Sequence, residues 1–417
     1  MAGFVASLRS GDWLTRERVR LVALLLLAAA LAGAVFLVAT SNGLNDRFGR
    51  PLGTDFSNVY AAGTYVLEGE AAAPFDPHRQ FVREQAIFGQ DTQFYGWHYP
   101  PFFFGLAGLL ALLPYALALA LWQGATLILY LLAMRGILGA ATERPLAQDP
   151  LWLLLALAYP AVFINLGHGH NGFLTVALVA GALTQLDRRP LIAGILIGLL
   201  AYKPQFGLLI PLVLAVSGRW RVFIAAAATV AALALAVTLC FGMDVWTAFF
   251  ASTKFTRSVV LEQGGTGWYK IQSVFSWVRM WGGGVPLAYA VQGAVTLAVA
   301  AALGWLWRTR ATFPLKTAAL LLGTVLATPY VLDYDLMLLA PAIAFLAADG
   351  AARGFAPWEK TLLAALWLVP LVARSVAQAT LIPLAVPLML LAFGFLLRRA
   401  MTGAGAARAS GVLQSAP

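Results

Sequence analysis

Leu21-Val-Ala-Leu-Leu-Leu-Leu-Ala-Ala-Ala-Leu-Ala-Gly-Ala-Val-Phe-Leu-Val38 runs 18 residues without a charge, directly after Arg16, Arg18 and Arg20. A stretch of that length and composition spans the hydrocarbon of a bilayer as a helix. The arginines before it place the N-terminus on the cytoplasmic side. The run is about 18 residues long and has no clean A-x-A cleavage site just before Thr40, so the segment reads as a retained first span rather than a signal peptide.

The rest of the chain repeats this theme. Of 417 residues, 61% are hydrophobic and 11% charged, against about 25% charged in soluble domains. Further apolar runs occupy about 100–113, 116–139, 151–166, 172–186, 191–217, 222–241, 285–307, 315–331, 334–348, 360–376 and 381–397. With the first helix they predict an all-α polytopic membrane protein of about 12 spans, 11–13 at the limits, in a single domain over residues 1–400. The tail 401–417 is rich in small residues and reads as a disordered cytoplasmic end. Net charge is +10, but the basic residues sit in short loops beside apolar runs. That is the topological signal of a membrane protein, not a nucleic-acid footprint. The one cysteine, Cys240, excludes an internal disulfide framework.

Two polar segments interrupt the apolar pattern. The first, 41–99, holds seven acidic and four basic residues up to His98 and follows one span from a cytoplasmic N-terminus, so it is expected outside the cytoplasm with short helices of its own. The second, 242–284, falls on the same side when counted back from the basic Trp307-Arg-Thr-Arg310 loop. One conflict stands. Asp187-Arg-Arg-Pro190 is basic and should be cytoplasmic, whereas strict alternation of twelve spans puts it outside. A hairpin over 191–217, bent at Pro204, restores agreement.

Candidate chemistry gathers at the outer ends of these runs. Asp55 lies in Gly53-Thr-Asp-Phe-Ser57, where a carboxylate suits a general base toward an acceptor hydroxyl and equally suits a helix cap. Trp97-His-Tyr-Pro-Pro101 sets His98 and Tyr99 at the membrane boundary ahead of a proline-started helix. Gly167-His-Gly-His-Asn-Gly172 places His168, His170 and Asn171 at a helix break, which membrane depth tolerates where the backbone lines a cavity. Two histidines two residues apart lack a nearby acid or cysteine to complete a metal site, so substrate contact is the preferred reading.

Lys203, in Ala201-Tyr-Lys-Pro-Gln205, is an intramembrane cation and a functional candidate by that fact alone, suited to a phosphate. Gln205 accompanies it. Thr328-Pro-Tyr-Val-Leu-Asp-Tyr-Asp335 offers Tyr330, Asp333 and Asp335 to sugar hydroxyls. Arg257, Lys270 and Gln272 in the second outer segment suit a lipid phosphate or headgroup and the substrate bound to it. No Walker A, Rossmann glycine fingerprint, nucleophile elbow or zinc signature occurs, so no cofactor is implied and no metal is assigned.

Taken in order, Asp55-Phe56, Tyr99 to Pro101, the Gly-His-Gly-His-Asn-Gly break, Lys203-Pro-Gln205 and Tyr334-Asp335-Leu336 resemble the GT-C glycosyltransferases, and among them glycosyltransferase family 87, the polyprenol-phosphate-mannose-dependent mannosyltransferase-like proteins. Lys203, Arg257 and Lys270 are the candidates for the donor phosphate or lipid headgroup, and His98, Tyr99, His168, His170, Asn171, Gln205, Gln272, Tyr330, Asp333 and Asp335 for sugar or acceptor. The resemblance implies that Asp55 is the catalytic base. It further implies inverting transfer of a hexose, mannose among the candidates, from a polyprenyl phosphate to a glycan or glycolipid acceptor outside the cytoplasmic (inner) membrane. The partners are then membrane lipid, the lipid-linked sugar and the acceptor. The sequence departs from the family pattern at His168, where glutamine is common. A transporter or flippase of lipid-linked saccharides is the rival reading. Its usual paired inverted repeats are not evident.

Overall fold

A computed structural model describes residues 2–139 and 146–413, and it is helical throughout these, with isolated bridges in place of strands. A short helix α1 (Ala2–Ser10) precedes α2 (Arg16–Ala39), whose start is capped by Thr15 accepting from the Arg18 amide. The first polar segment then folds as predicted from its glycines and prolines into α3 (Thr54–Leu67) and α4 (Pro77–Phe88). Asp76 caps α4 by accepting from the amides of His78 and Arg79.

Next come α5 (Phe104–Ala111), α6 (Tyr115–Gly139), the bent pair α7 (Leu151–Leu157) and α8 (Pro160–His168), and α9 (Gly172–Gln185). A broken segment, α10 (Pro190–Leu199) and α11 (Ile210–Val216), leads to α12 (Trp220–Phe241). The second polar segment holds α13 (Asp244–Phe255) and α14 (Val274–Met280). The chain closes with α15 (Val285–Arg308), α16 (Phe313–Leu326), α17 (Leu339–Arg353), α18 (Glu359–Thr380) and α19 (Ala385–Leu413). The bounds of α19 overlap the tail that composition marks as disordered, and residues 414–417 lie outside the described residues.

Among the described residues seven helices are long and apolar enough to cross a membrane, or eight when the bent pair at Ala158-Tyr159 is taken as one span. This is fewer than the twelve apolar runs. The difference has a physical cause: several runs are broken by proline, glycine or a polar group into helices of 10–17 residues, too short to span about 30 Å alone. Such breaks persist at membrane depth where the freed backbone groups are buried in protein.

Cross-links between distant residues fix which ends share a face. The Arg16 guanidinium pairs with Asp149 at 2.5 Å, the Trp358 amide donates to the Arg9 carbonyl, and Arg399 pairs with Asp349 at 2.8 Å and with Glu359. Thr312 Oγ1 donates to Asp349, and Lys316 donates to the Thr309 carbonyl. Arg219 stands over the Trp307 ring and pairs with Asp187 at 3.0 Å. Both described ends of the chain and the basic loops therefore lie on one face.

This network resolves the conflict at Asp187. Because the residues before α10 and after α11 meet in the Asp187–Arg219 pair, the segment between them is a hairpin that returns to the face it left. The basic Asp187-Arg-Arg-Pro190 loop consequently shares the face of the other basic loops. The hairpin lies against α12 through Gly194 and Gly198, where an added Cβ would stand 2.4 Å from Ala225 Cβ and 2.4 Å from Thr229 Cβ. Small residues one turn apart give the close helix approach common in membranes.

The run at 100–113 is likewise not a crossing. His98 Nδ1 lies 2.9 Å from Thr256 Oγ1 in the second polar segment, and the Leu113 carbonyl accepts from Tyr60 Oη in α3. Both ends of α5 are thus tied to the polar segments, and Gly63 of α3 meets the Ala107 carbonyl so closely that no side chain fits between. The same face carries the candidate site.

Candidate active site

Asp55 stands in the first turn of α3, but it does not cap that helix. Gly53, at φ 71°, is the N-cap, and the Asp55 carboxylate makes no hydrogen bond among the described residues. Its side chain is 23% exposed, and its nearest charged partner is His168, Nδ1 to Oδ1 3.8 Å. Burial raises the Asp55 carboxyl above the ordinary carboxylate value, and the adjacent His168 opposes that shift. A partly exposed acid with unspent acceptor capacity is what a general base requires.

The Gly-His-Gly-His-Asn-Gly break delivers its two histidines in different directions. Gly169 adopts φ 61°, which ends α8 and lets the backbone pass against Gly53 and Phe56 with no room for a Cβ. Trp122 Nε1 donates to the Gly169 carbonyl, and Gln123 Nε2 to that of His170. His168 turns toward α3, Nδ1 lying 2.7 Å from Thr54 Oγ1. His170 turns inward, its ring stacked on Tyr334 at 3.6 Å between centroids. The pair does not converge on one point, whereas Asn171 is buried with its Oδ1 unpartnered among the described residues.

Lys203 is the tip of the α10–α11 hairpin and is 5% exposed. Its ammonium donates to Asp335 Oδ1 at 2.7 Å and lies 3.4 Å from His170 Nε2. The other Asp335 oxygen accepts from the Leu332 amide. Expected as the donor-phosphate cation, Lys203 is here neutralised by Asp335. The pair ties the hairpin tip to the Asp333–Leu338 turn, which also carries Tyr334. Asp333 accepts from Arg374 Nε at 2.5 Å.

Asp55, His168, Tyr334, His170, Lys203 and Asp335 accordingly form one continuous set of contacts, with Asp333 within Coulombic reach of Asp55. Tyr99 and Tyr330 also feel the charges of both Asp55 and Asp335. Of the other expected residues, Arg257, Lys270, Gln272 and His98 have side-chain contacts of their own, although Gln272 runs beside the Tyr330–Asp335 turn, its backbone N–H donating to the Val331 carbonyl at 2.7 Å. Arg257 is 66% exposed and pairs with Glu262 at 3.4 Å. Lys270 lies over the Tyr269 ring. Gln272 is buried and spent on the main chain: its amide donates to Tyr269 O and its carbonyl accepts from the Ala385 N–H. His98 is held by Thr256, and burial lowers its pKa to about 4, so it is neutral at physiological pH. Gln205 is half-buried at the hairpin turn.

Two residues at this face escaped the sequence reading. Arg374 lies inside an apolar span, where a lone cation is itself a signal. Glu84 is fully buried in α4 and clamps the strap leading to His98, accepting from the amides of Tyr95 and Gly96 and from Gln80. Nothing local in the sequence marks it.

The sequence model of glycosyltransferase family 87 matches residues 97–329, more than half of the 417 residues. The match takes in His98, Tyr99, the two-histidine break, the Lys203 hairpin, Arg257, Lys270 and Gln272, and leaves Asp55, Asp333 and Asp335 outside it. Neither curated proteins nor solved structures gave a match.

Proposed function

Because the chain belongs to glycosyltransferase family 87, we propose that it is an inverting transferase that moves a hexose from a polyprenyl phosphate to an acceptor hydroxyl on the extracytoplasmic side, with Asp55 as the base. In this reaction the acceptor oxygen attacks the anomeric carbon, its proton passes to Asp55, and the bond from that carbon to the phosphate oxygen breaks. Polyprenyl phosphate leaves carrying the electron pair. Phosphate is a good enough leaving group that charge stabilisation replaces an acid catalyst. One carboxylate then suffices, unlike the two-carboxylate scheme of retaining hydrolysis.

The observation that carries this reading is the state of Asp55: it stands in the first turn of a helix capped by another residue, spends no hydrogen bond among the described residues, and faces the His168–Tyr334–His170 wall. The basic loops on the opposite face support placing this site away from the cytoplasm. Asp55→Asn keeps the shape and removes the base. It should leave insertion and folding intact and cut transfer from polyprenyl-phosphate sugar by about 100-fold or more. Transfer at the wild-type rate would refute the assignment.

A further inference from the structure

We propose that Arg374, not Lys203, seats the phosphate of the lipid donor, and that the hydrocarbon tail descends from it along α18 into an apolar cavity between α6, α7, α17 and α18. This rests on the lipid-phosphate donor proposed above. Lys203 is almost fully buried and its charge is answered by Asp335 at 2.7 Å. Arg374 is ion-paired as well, to Asp333 at 2.5 Å, but it differs in exposure and in what that pair leaves free. Its side chain is 37% exposed, and only Nε is engaged, by Asp333. Both terminal amino groups lack a protein hydrogen bond among the described residues. A guanidinium held by one edge with its fork open is set for bidentate contact with a phosphate.

The surroundings match a lipid phosphate from head to tail. Arg374 lies 15 residues along α18 from Glu359, about 22 Å from the basic face at 1.5 Å per residue. Leu371, one turn below it on the same helical face, is 53% exposed, and Trp367, a further turn down, lines a cavity of about 190 Å³. Across the cleft the same descent runs from Asp333 to Ala340, another cavity wall. The Trp268–Lys270 turn packs on α18 as well. The order is cationic at the top and apolar below, with Asp149, paired to Arg16, at the cavity's end on the basic face. Asp333 joins the phosphate seat to the Asp335–Lys203 floor two residues away, so the sugar lies toward Asp55.

The test is direct binding to purified full-length protein, comparing polyprenyl phosphate with the matching polyprenol and with phosphatidate, by native mass spectrometry or radioligand capture. Wild type should favour the polyprenyl phosphate over both. Arg374→Gln should lose that preference by ten-fold or more. Arg374→Lys keeps a cation beside Asp333 and so preserves folding, yet should still lose several-fold because the fork is gone. Ala344→Phe, which fills the cavity, should abolish any preference for a long over a two-isoprene tail while leaving the phosphate preference. If wild type binds polyprenyl phosphate selectively and both Arg374 variants match it, the phosphate seat is refuted and the donor reading stands. An unchanged length preference in Ala344→Phe refutes the tail path. If wild type does not distinguish polyprenyl phosphate from polyprenol or phosphatidate, the seat and the donor reading fall together.

Discussion

Lys203 Nζ lies 2.7 Å from Asp335 Oδ1, an ion pair that joins positions 132 apart in sequence at the floor of the candidate site. Both partners are nearly inaccessible, so the attraction must offset the desolvation of two charges. Breaking such a pair from one side leaves an uncompensated buried charge. Lys203→Met or Asp335→Leu alone should therefore destabilise the protein by about 3–5 kcal/mol. The double variant should recover most of that loss. A thermal-unfolding double-mutant cycle in detergent measures the coupling, and additive effects would show that the pair is not a unit.

Glu84 predicts a pH dependence. Burial raises its pKa to about 7, although the amides of Tyr95 and Gly96 and the Gln80 side chain favour the charged form. The folded state then binds a proton more tightly than the unfolded chain, whose Glu titrates at 4.5. The stabilising contribution is fully present below pH 4.5 and is lost as pH rises through about 7. At 1.36 kcal/mol per unit the whole effect is about 3 kcal/mol. Wild type should accordingly lose melting temperature between pH 5 and 8 more steeply than Glu84→Gln. Parallel profiles would mean that Glu84 is ionised throughout.

Gly194 and Gly198 should control where the Lys203 hairpin tip sits. A methyl at either position collides with α12 at 2.4 Å, and its backbone is what must yield. Gly198→Ala is expected to cost about 1–3 kcal/mol and to reduce transfer by moving Lys203 and its partner Asp335. Gly207, which has open space around it, is the control: Gly207→Ala should change stability by no more than about 1 kcal/mol. Equal effects at the two sites would show that the α10–α12 contact does not position the hairpin.

These contrasts explain what the sequence made legible. The Gly-His-Gly-His-Asn-Gly break, Lys203 and the Tyr-Asp cluster were visible because polar groups in apolar runs are costly and therefore informative. Charge raised the hairpin as one of two alternatives for Asp187-Arg-Arg-Pro190, and the Asp187–Arg219 contact decides between them. Arg374 was hidden by averaging, its span still being apolar over an 18-residue window. Gln272 shows what the sequence does not carry. A polar residue in an outer loop looks available, but it spends its amide on Tyr269 and Ala385. Which side chain is spent and which is free is a property of tertiary contacts, and neither composition nor spacing carries it.

His168 offers the sharpest test of the catalytic reading because it touches Asp55 without being a candidate base in its place. His168, 3.8 Å away, opposes the rise in pKa that burial causes at Asp55. If Asp55 takes the acceptor proton, the acidic limb of the pH profile of kcat/KM reports its ionisation, and that limb lies above the ordinary carboxylate range. Removing His168 withdraws the stabilisation of the carboxylate, so His168→Ala should shift the limb to higher pH by up to about one unit. The variant should keep substantial activity well above the limb, where Asp55 is ionised in either protein. A limb that stays in place, or moves to lower pH, would mean that the titrating base is not the carboxylate beside His168.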